Sequence, residues 1–400
     1  MVHGKWKWME EELQSLKEKS QLRTLHDTSL LENGWVLRGG KKMLNLASND
    51  YLGLSESLNE NKRYQFMKEE EPISSSLRFG STASRLIVGN DPIYREFEKQ
   101  FASYKGTEDC LVFSSGYMAN LGVISALIGR KDLVLSDRLN HASIVDGIIL
   151  SRAEHKRYKH RDIEHLEYLL KNADSNQRKL IVTDSIFSMD GSIAPLEKLV
   201  ELKNRYGAML MVDEAHSGGI YGAQGQGLVH SLGLSNEVDI QMGTFSKAYG
   251  CYGAYIAGDS ILIQYLMNKA RSFIFTTALP PINIAVILQN WLRVQNESWR
   301  QKSLLEKSAW FKKELQFRGF NTGESESQII PIIVGDNKET LNFSNHLQEK
   351  GVAALAVRPP TVPEGTARIR FTIMSIHQEV DLKEALVHIG EIGQQLKITL

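Results

Sequence analysis

Six short apolar segments, each followed directly by polar residues, constrain the fold of this 400-residue chain more than any other feature. They alternate with helical patterns, as in a mostly parallel sheet that is covered by helices on both faces. The segments are Cys110–Phe113, Leu133–Leu135, Leu180–Thr183, Met209–Val212, Ile240–Gly243 and Ala254–Ala257. Because ligands of such sheets bind beyond the carboxyl ends of the strands, we expect the polar residues there to form one site.

The parts of the chain on either side of this α/β region have different patterns. Apolar residues spaced three or four apart predict an amphipathic helix from Trp6 to about Leu25. Two apolar runs on either side of Gly39-Gly40 predict a hairpin. We therefore expect three parts: an N-terminal helix and hairpin over residues 1–50, a large α/β domain over 51–285, and a small α+β domain over 286–400.

The C-terminal part is expected to begin with one long helix, from Ile282 to about Phe317. Three strands and two further helices follow, again from their apolar periodicity. The strands are Gln328–Val334, Ala353–Val357 and Ile369–Ile373, and the helices are Lys338–Lys350 and Gln378 to about Leu396.

Composition excludes several classes of protein. Lys plus Arg and Asp plus Glu number 47 each, so a basic surface for nucleic acid or an anionic membrane is not expected. No segment reaches the roughly 20 apolar residues of a membrane span. The two cysteines, Cys110 and Cys251, form no disulfide framework and no metal-ligand spacing, which favours a cytoplasmic protein.

A lysine and an aspartate at two predicted strand ends indicate chemistry. Lys247 lies among small and hydroxyl residues in Gly243–Gly250, and a lysine removed from bulk water has a lowered pKa and acts as an amine nucleophile. Asp213 follows four apolar residues, and a carboxylate buried there requires a cationic partner.

Three other activities can be excluded from the motifs. Asp213-Glu214-Ala215-His216 also occurs in nucleotide-dependent helicases, but the Gly-x-x-x-x-Gly-Lys-Ser/Thr loop that they require is absent from the sequence. A serine hydrolase of the Gly-x-Ser-x-Gly type is excluded in the same way. His141 and His216 lack a third ligand at a metal-binding spacing, so no metal is expected.

A candidate phosphate site completes the set. Ser114-Ser115-Gly116-Tyr117 follows the first strand and opens a helix, whose backbone N–H groups would bind a phosphate. Taken alone, the same turn also fits a plain strand-to-helix connection. Together with a lysine amine, a buried carboxylate, imidazoles and hydroxyls, it suits pyridoxal 5′-phosphate, which needs a lysine Schiff base, an aspartate at its ring nitrogen and a phosphate cradle.

The sequence at this point resembles the α-oxoamine synthases. These are fold-type I pyridoxal-phosphate enzymes that condense an amino acid with an acyl thioester and release CO₂. The resemblance runs from about Leu22 to the C-terminus, with the motifs in the same order. The matching segments are Ser48–Leu54, Gly80–Gly89, Asn140–Ser143, Asp213–Ser217, Gly243–Gly250 and Arg358–Pro363. The last segment is most similar to the members that join L-alanine to a pimeloyl thioester, carried by coenzyme A or by an acyl carrier protein.

The resemblance implies roles for individual residues, and a homodimer with the active site at its interface. Lys247 would hold the cofactor and move protons, Asp213 would pair with the pyridine nitrogen, and His141 would stack on the ring and contact the reacting carbonyl. The remaining cofactor contacts would come from Ser185 and His216 at the phenolic side, and from Gly116, Tyr117, Thr244 and a cross-subunit Thr277 at the phosphate. The substrate contacts would be Arg370, at the amino-acid carboxylate, with Arg23 and Thr361.

One loop departs from the family pattern, and three alternatives remain open. Where family members often have Gly-Ser-Gly-Gly-Ser-Arg, residues 80–85 read Gly-Ser-Thr-Ala-Ser-Arg, so we expect a stiffer loop. A sister synthase that uses glycine or serine, such as 5-aminolevulinate synthase, 2-amino-3-ketobutyrate ligase or a palmitoyl-condensing enzyme, would share nearly every residue named here. An aminotransferase and a catalytically silent pyridoxal-binding protein are the other two, although intact Lys247 and Asp213 argue against the silent protein.

Overall fold

The computed structural model of the chain describes residues 4–55 and 78–399. The chain separates into two compact units, which we describe one at a time. Unit 1 comprises Met1–Tyr51, Met189–Ser192 and Lys302–Leu400, and unit 2 comprises Leu52–Ser188 and Ile193–Gln301. The N-terminal segment thus belongs to the same unit as the C-terminal part of the chain.

Unit 2 is built around a seven-stranded sheet in the order β4-β10-β9-β8-β7-β5-β6. Five neighbouring strands, from β9 to β6, are parallel, and β10 is antiparallel to both of its neighbours. This confirms the predicted mostly parallel sheet. The strands are β4 (Asp109–Phe113), β5 (Leu133–Asp137), β6 (Glu154–Tyr158), β7 (Lys179–Asp184), β8 (Met209–Asp213), β9 (Ile240–Thr244) and β10 (Ala254–Gly258).

Apolar side chains are buried on both faces of this sheet. Val182 belongs to one buried cluster and its chain neighbour Ile181 to the other, as period-two alternation requires. Strands buried on both sides have continuous apolar sequences, which explains why the sequence revealed them. Among its described residues, unit 2 has the helices α2 (Pro92–Lys105), α3 (Gly116–Leu127), α4 (Ala142–Ser151), α5 (Ile163–Lys171), α6 (Leu196–Tyr206), α7 (Leu228–Ser231), α8 (Ser260–Lys269), α9 (Arg271–Ile274) and α10 (Pro281–Asn296).

Unit 1 contains two smaller sheets. One has the order β1-β2-β3-β12 and includes the predicted hairpin, and the other has the order β11-β14-β13. The strands are β1 (Thr28–Leu30), β2 (Trp35–Arg38), β3 (Lys41–Asn45), β11 (Ile329–Gly335), β12 (Val352–Ala353), β13 (Ala356–Val357) and β14 (Ala367–Thr372). The helices are α1 (Lys7–Glu18), α11 (Trp299–Phe317, assigned to this unit from Lys302), α12 (Asn337–Glu349) and α13 (Glu379–Gln395).

The structure corrects several predicted boundaries. Helix α1 ends at Glu18 rather than near Leu25, because Ser20 takes a left-handed conformation with φ of 55°. The long helix predicted after Pro280 is interrupted near Ser298, a residue type that favours helix N-termini over helix interiors. The strand predicted over Ala353–Val357 is two short strands in different sheets. Strand β6 was not predicted, since Glu154–Tyr158 is mostly charged and lies at a sheet edge.

Within the described ranges 4–55 and 78–399, no helix has both the length and the apolar character required to cross a membrane.

Candidate active site

The carboxyl ends of five strands of unit 2 surround a cavity of about 210 Å³. Each strand ends in a loop or helix start that supplies lining side chains, as expected for an open parallel sheet. The lining residues are Ser115, Gly116, Tyr117 and Asn120 after β4; His141 and Ser143 after β5; Asp184 and Ser188 at β7; Asp213, Ala215 and His216 at β8; and Met242, Thr244, Ser246 and Lys247 at β9. The structure therefore brings together most of the residues predicted to bind the cofactor.

Asp213 is the last residue of β8, and only 3% of its surface is exposed. Its carboxylate accepts hydrogen bonds from the Asn120 side-chain amide and from the Ala215 backbone N–H, both at 2.9 Å. Both donors are uncharged, so they orient the carboxylate without neutralising it. A buried carboxylate with uncharged donors favours a cationic ligand group, such as a protonated ring nitrogen.

Asn120 is a site residue that the sequence analysis missed. Its amide donates to Asp213 and also to Ser143 Oγ at 2.9 Å, and Ser143 Oγ lies 2.8 Å from His141 Nδ1. A continuous hydrogen-bonded chain thus links the carboxylate to the imidazole. The signal in the sequence was a single amide in a mostly apolar helix, α3.

His141 precedes α4 and caps it, with its ring exposed to the cavity. Desolvation by the surrounding protein lowers the pKa of His141 below its usual value, while the charge of Asp213 partly opposes that shift. The ring is therefore neutral at neutral pH. A neutral imidazole provides an apolar face and a single N–H donor.

Asp184 is a second buried carboxyl group, in register with Asp213 on the neighbouring strand β8. Its Oδ2 accepts the backbone N–H of His141 at 2.9 Å. Burial, and next the negative charge of Asp213, raise the pKa of Asp184 well above its usual value. Two carboxyl groups this close in a dry environment do not both ionise readily.

The side chains of Lys247 and His216 both line the cavity and contact each other. The Nζ atom of Lys247 lies 2.7 Å from Nε2 of His216. Lys247 is half-buried, and His216 is only 5% exposed. The amine is thus held in one place by the imidazole, as a lysine that reacts with a bound ligand must be.

The predicted phosphate cradle lies at the start of α3. Ser115 caps the helix. A Cβ atom on Gly116 would lie 3.1 Å from the Met242 side chain and 3.7 Å from Thr244 Cβ, so a side chain at this position would fill space at the edge of the cavity. Thr244 Oγ1 donates to the Gly253 carbonyl and lies 2.8 Å from Ser246 Oγ. The Tyr117 hydroxyl contacts Asp146. A helix N-terminus with small neighbours is a suitable anion site.

Two predicted cofactor contacts do not line this cavity. Ser185 is fully buried, and its hydroxyl donates to the Asp213 carbonyl at 3.0 Å, so it is turned away from the cavity, whereas Ser188 lines it. Thr277 is exposed and borders a separate, small pocket together with Arg85. As a contact to a partner subunit, Thr277 stays a prediction.

The loop that departs from the family pattern supports the Thr277 segment. Ala278 N donates to the Ala83 carbonyl at 3.0 Å, and Ser81 Oγ donates to the Leu279 carbonyl at 2.6 Å. Thr82 has a φ of 57°, a conformation that costs a threonine energy and that glycine adopts freely. A glycine at position 82, as in the family pattern, would take this conformation without strain. This chain has a threonine in the same conformation.

The predicted substrate contacts lie in unit 1. The Arg370 guanidinium donates to Asn49 Oδ1 at 2.9 Å and to the Tyr51 hydroxyl at 3.2 Å. Arg23 donates to Thr361 Oγ1 at 3.4 Å.

Arg23 and Thr361 border a pocket of about 140 Å³ in unit 1, which Arg358 also lines. Burial, and next the charge of Arg23, lower the pKa of Arg358. Two guanidinium groups thus line one pocket, an arrangement suited to an anionic ligand.

Comparison with known proteins identifies the family. The family model described as aminotransferase class I and II matches residues 41–389. Relatives from Bacillus mycoides and Bacillus anthracis carry the provisional name 8-amino-7-oxononanoate synthase. They are 52% identical over 392 residues and 51% identical over 389 residues, and each match covers 97% of both chains.

Solved structures agree with this assignment. A serine palmitoyltransferase from S. paucimobilis with bound PLP and myriocin has a TM-score of 0.90 and 27% identity, with both chains covered completely. An 8-amino-7-oxononanoate synthase from Francisella tularensis has a TM-score of 0.74 and 28% identity, over 88% of this chain and 98% of that one. The chain belongs to the class I and II aminotransferase family, with the fold-type I architecture, and within it to the α-oxoamine synthases.

Proposed function

We propose that the chain is an 8-amino-7-oxononanoate synthase, which condenses L-alanine with a pimeloyl thioester and releases CO₂ and the free thiol. The observation that carries this proposal is the arrangement of Lys247, His216 and the buried Asp213 around one cavity. The relatives at about half identity over nearly the whole chain support the reaction type. The product of this reaction belongs to biotin synthesis.

The cofactor is pyridoxal 5′-phosphate, and the residues present fit it. Asp213 is a buried carboxylate whose donors among the described residues, Asn120 and Ala215, are uncharged, which suits a protonated ring nitrogen. The start of α3 at Gly116, with Tyr117 and Thr244, suits the phosphate, and His141 offers a neutral ring. When bound, the cofactor withdraws electrons from the substrate Cα, so that a bond to this atom can break.

The protein's own groups then direct the chemistry. Lys247 removes the proton at Cα of alanine and later returns one, with its amine positioned by His216 at 2.7 Å. Asp213 faces the ring nitrogen in this proposal, and a carboxylate there would favour the protonated ring. His141 donates a hydrogen bond to the product ketone oxygen, which derives from the acyl carbonyl. Ser143 and Asn120 set the position of the His141 ring.

Unit 1 supplies the substrate contacts in this proposal. Arg370 binds the alanine carboxylate, for which a planar guanidinium is suited. The pocket of Arg23, Arg358 and Thr361 binds the carboxylate at the far end of the pimeloyl chain, because two guanidinium groups favour an anion. This feature favours a dicarboxylic acyl donor over a plain fatty acyl donor.

A second copy of the chain is the proposed partner, as in the family. Apolar surface is present at two places in unit 2. The exposed fractions are 74% for Ile87 and 77% for Val88, in one loop, and 71% for Phe275 in another segment. Helix α1 also has no buried residue, which leaves its apolar side chains available to a partner subunit. Thr277, two residues after Phe275, would reach the partner's phosphate site from that segment.

A sister synthase is the second candidate, because a serine palmitoyltransferase superposes with a TM-score of 0.90. Thiol release by the pyridoxal-loaded protein separates the two. Pimeloyl, acetyl, succinyl and palmitoyl thioesters are each combined with L-alanine, glycine and L-serine. Fastest release with pimeloyl thioester and L-alanine is the expected result, and a faster reaction with any other pair would contradict the proposed substrates.

A further inference from the structure

Glu214 lies between two residues of the cofactor site, Asp213 and His216, yet the chemistry above gives it no role. Its side chain has no exposed surface and does not line the cavity. A fully buried glutamate is rare and costs free energy unless its oxygens are satisfied. The position of its partners is therefore informative.

Three groups hold the Glu214 carboxylate. Oε2 accepts a hydrogen bond from Lys105 Nζ at 2.5 Å, while Oε1 accepts from Val229 N at 2.9 Å and from Ser217 Oγ at 3.1 Å. Lys105, the last residue of α2, is also fully buried and donates in addition to the Gln226 carbonyl. These contacts join α2, the Asp213–Ser217 turn and the start of α7.

The contacts leave little room for another arrangement. A Cβ atom on Gly227 would lie 2.5 Å from Glu214 Oε1, so the carboxylate packs directly against the backbone there. Gly227 also has a φ of 114°, which side-chain-bearing residues rarely adopt. The Glu214 carboxylate is therefore held in one position by close packing.

A relay of hydroxyl groups connects Glu214 to the cofactor site. Ser217 Oγ, which contacts Glu214, lies 2.9 Å from Ser185 Oγ. Ser185 donates to the Asp213 carbonyl through its hydroxyl at 3.0 Å and through its backbone N–H at 2.8 Å. The hydroxyl of Ser185 is thereby used for the backbone of Asp213, which explains why it is turned from the cavity.

We propose that the buried Lys105–Glu214 pair is a positioning device for the cofactor site: it fixes the Asp213–Ser217 turn, so that the Asp213 carboxylate and the His216 imidazole keep their orientations toward the bound cofactor. The inference rests on the proposed cofactor chemistry. Buried ion pairs add little net stability compared with apolar residues of the same volume, so a structural role alone is a weak reason for one. Misplacement of site groups by about 1 Å is enough to weaken their action strongly.

The test uses the full chain with pyridoxal phosphate and no acyl donor. The variants are Lys105→Met, Glu214→Gln, the double variant of both, and Ser217→Ala, which interrupts the relay without leaving a buried charge unpaired. Asp132→Asn is the matched control, because Asp132 is a buried carboxylate that pairs with Arg178 and lies directly before β5, at the amino-terminal end of the strand and so away from the cavity.

Three quantities are measured for each variant: the cofactor dissociation constant, the melting temperature, and the pH midpoint at which the visible absorbance of the bound cofactor changes. Each single variant at Lys105 or Glu214 is expected to weaken cofactor binding by about tenfold or more and to shift the midpoint, since an unpaired buried charge distorts the turn. The double variant is expected to return to within about threefold of wild type, because glutamine still accepts from Val229 and Ser217.

The control separates positioning from stability. Asp132→Asn is expected to lower the melting temperature while the absorbance midpoint stays at the wild-type value. If Glu214→Gln and Ser217→Ala change only the melting temperature, the positioning role is refuted. Wild-type protein that fails to bind pyridoxal phosphate would overturn both the proposed function and this inference, whereas normal wild-type binding that no variant changes would overturn this inference alone.

Discussion

Nζ of Lys247 and Nε2 of His216 lie 2.7 Å apart at the ends of the neighbouring parallel strands β9 and β8. The sheet therefore delivers an amine and an imidazole to one point from residues that are 31 positions apart in the chain.

Replacing Lys247 removes the base but not the binding site. Lys247→Ala is expected to retain pyridoxal phosphate weakly, through the phosphate cradle at Gly116, and to lose at least about 10³-fold in kcat. His216→Asn keeps the lysine and is expected to lose less, since it removes one contact of the amine and one cofactor contact but leaves the base in place. Both are measured by thiol release, and a Lys247→Ala enzyme with near wild-type turnover would disprove the base assignment.

The charge of Asp213 is expected to matter more than its shape. Asp213→Asn preserves the contact geometry with Asn120 but cannot stabilise a protonated ring nitrogen, so a loss of about 10²-fold or more in kcat is expected. Asn120→Ala keeps the charge and serves as the comparison, with a smaller loss. Equal losses in the two variants would mean that orientation, and not charge, is what the carboxylate provides.

The charge of Asp184 is expected to contribute little to kcat, in contrast to the charge of Asp213, its register partner. Its raised pKa means that the neutral form dominates to higher pH, so Asp184→Asn mimics it and kcat should change by less than about threefold, or roughly 0.65 kcal/mol.

The same substitution should alter the pH dependence of stability. A carboxyl group whose pKa is higher in the folded chain stabilises it at low pH, and that contribution is lost as pH rises from the unfolded value near 3.9 to the folded one. Urea unfolding from pH 4 upward should show this decline in the wild type and a flatter curve in Asp184→Asn. An unchanged curve would exclude the raised pKa.

Arg23 is expected to select the acyl donor by its far end. Arg23→Ala removes one of two positive charges beside Thr361, so KM for pimeloyl thioester should rise by about tenfold, the loss of roughly 1.4 kcal/mol of ion-pair binding. KM for a heptanoyl thioester, which has the same length and no carboxylate, should not change. A parallel rise for both donors would place Arg23 elsewhere in the reaction.

His377 is expected to make stability depend on pH in the acid range. Its ring is fully buried, and burial, followed by the charge of Lys307, lowers its pKa to about 3. The unfolded chain binds this proton near pH 6.5, so the free energy of unfolding should fall by up to about 1.4 kcal/mol per pH unit as pH drops below 6.5 toward 3.

The variant His377→Asn keeps an acceptor for the Met374 N–H, which His377 Nδ1 accepts at 3.0 Å. It should lose this part of the pH slope in urea denaturation between pH 6.5 and 4.5. His26→Asn is the control, because His26 is exposed, and it should retain the wild-type slope. A slope shared equally by all three proteins would show that other groups cause it.

Sequence patterns were most reliable where burial is continuous. Strands β7 and β8 follow from the sequence because both of their faces are apolar, and apolar runs between polar ends have few other interpretations. The charged strand β6 gave no such signal. The direction of β10, and the division of Ala353–Val357 between two sheets, depend on partners far away in the chain, which periodicity does not encode.

The candidate site shows the same division. The sequence by itself determined which residue types stand at the strand ends, and these were sufficient to indicate the cofactor through Lys247 and Asp213. Only the tertiary structure decided that Asn120 holds Asp213, that Ser188 lines the cavity where Ser185 was expected, and that Asp184 is paired in register with Asp213. The physical reason is that side-chain direction and desolvation arise from neighbouring strands and helices, whereas motif spacing records only order along one chain.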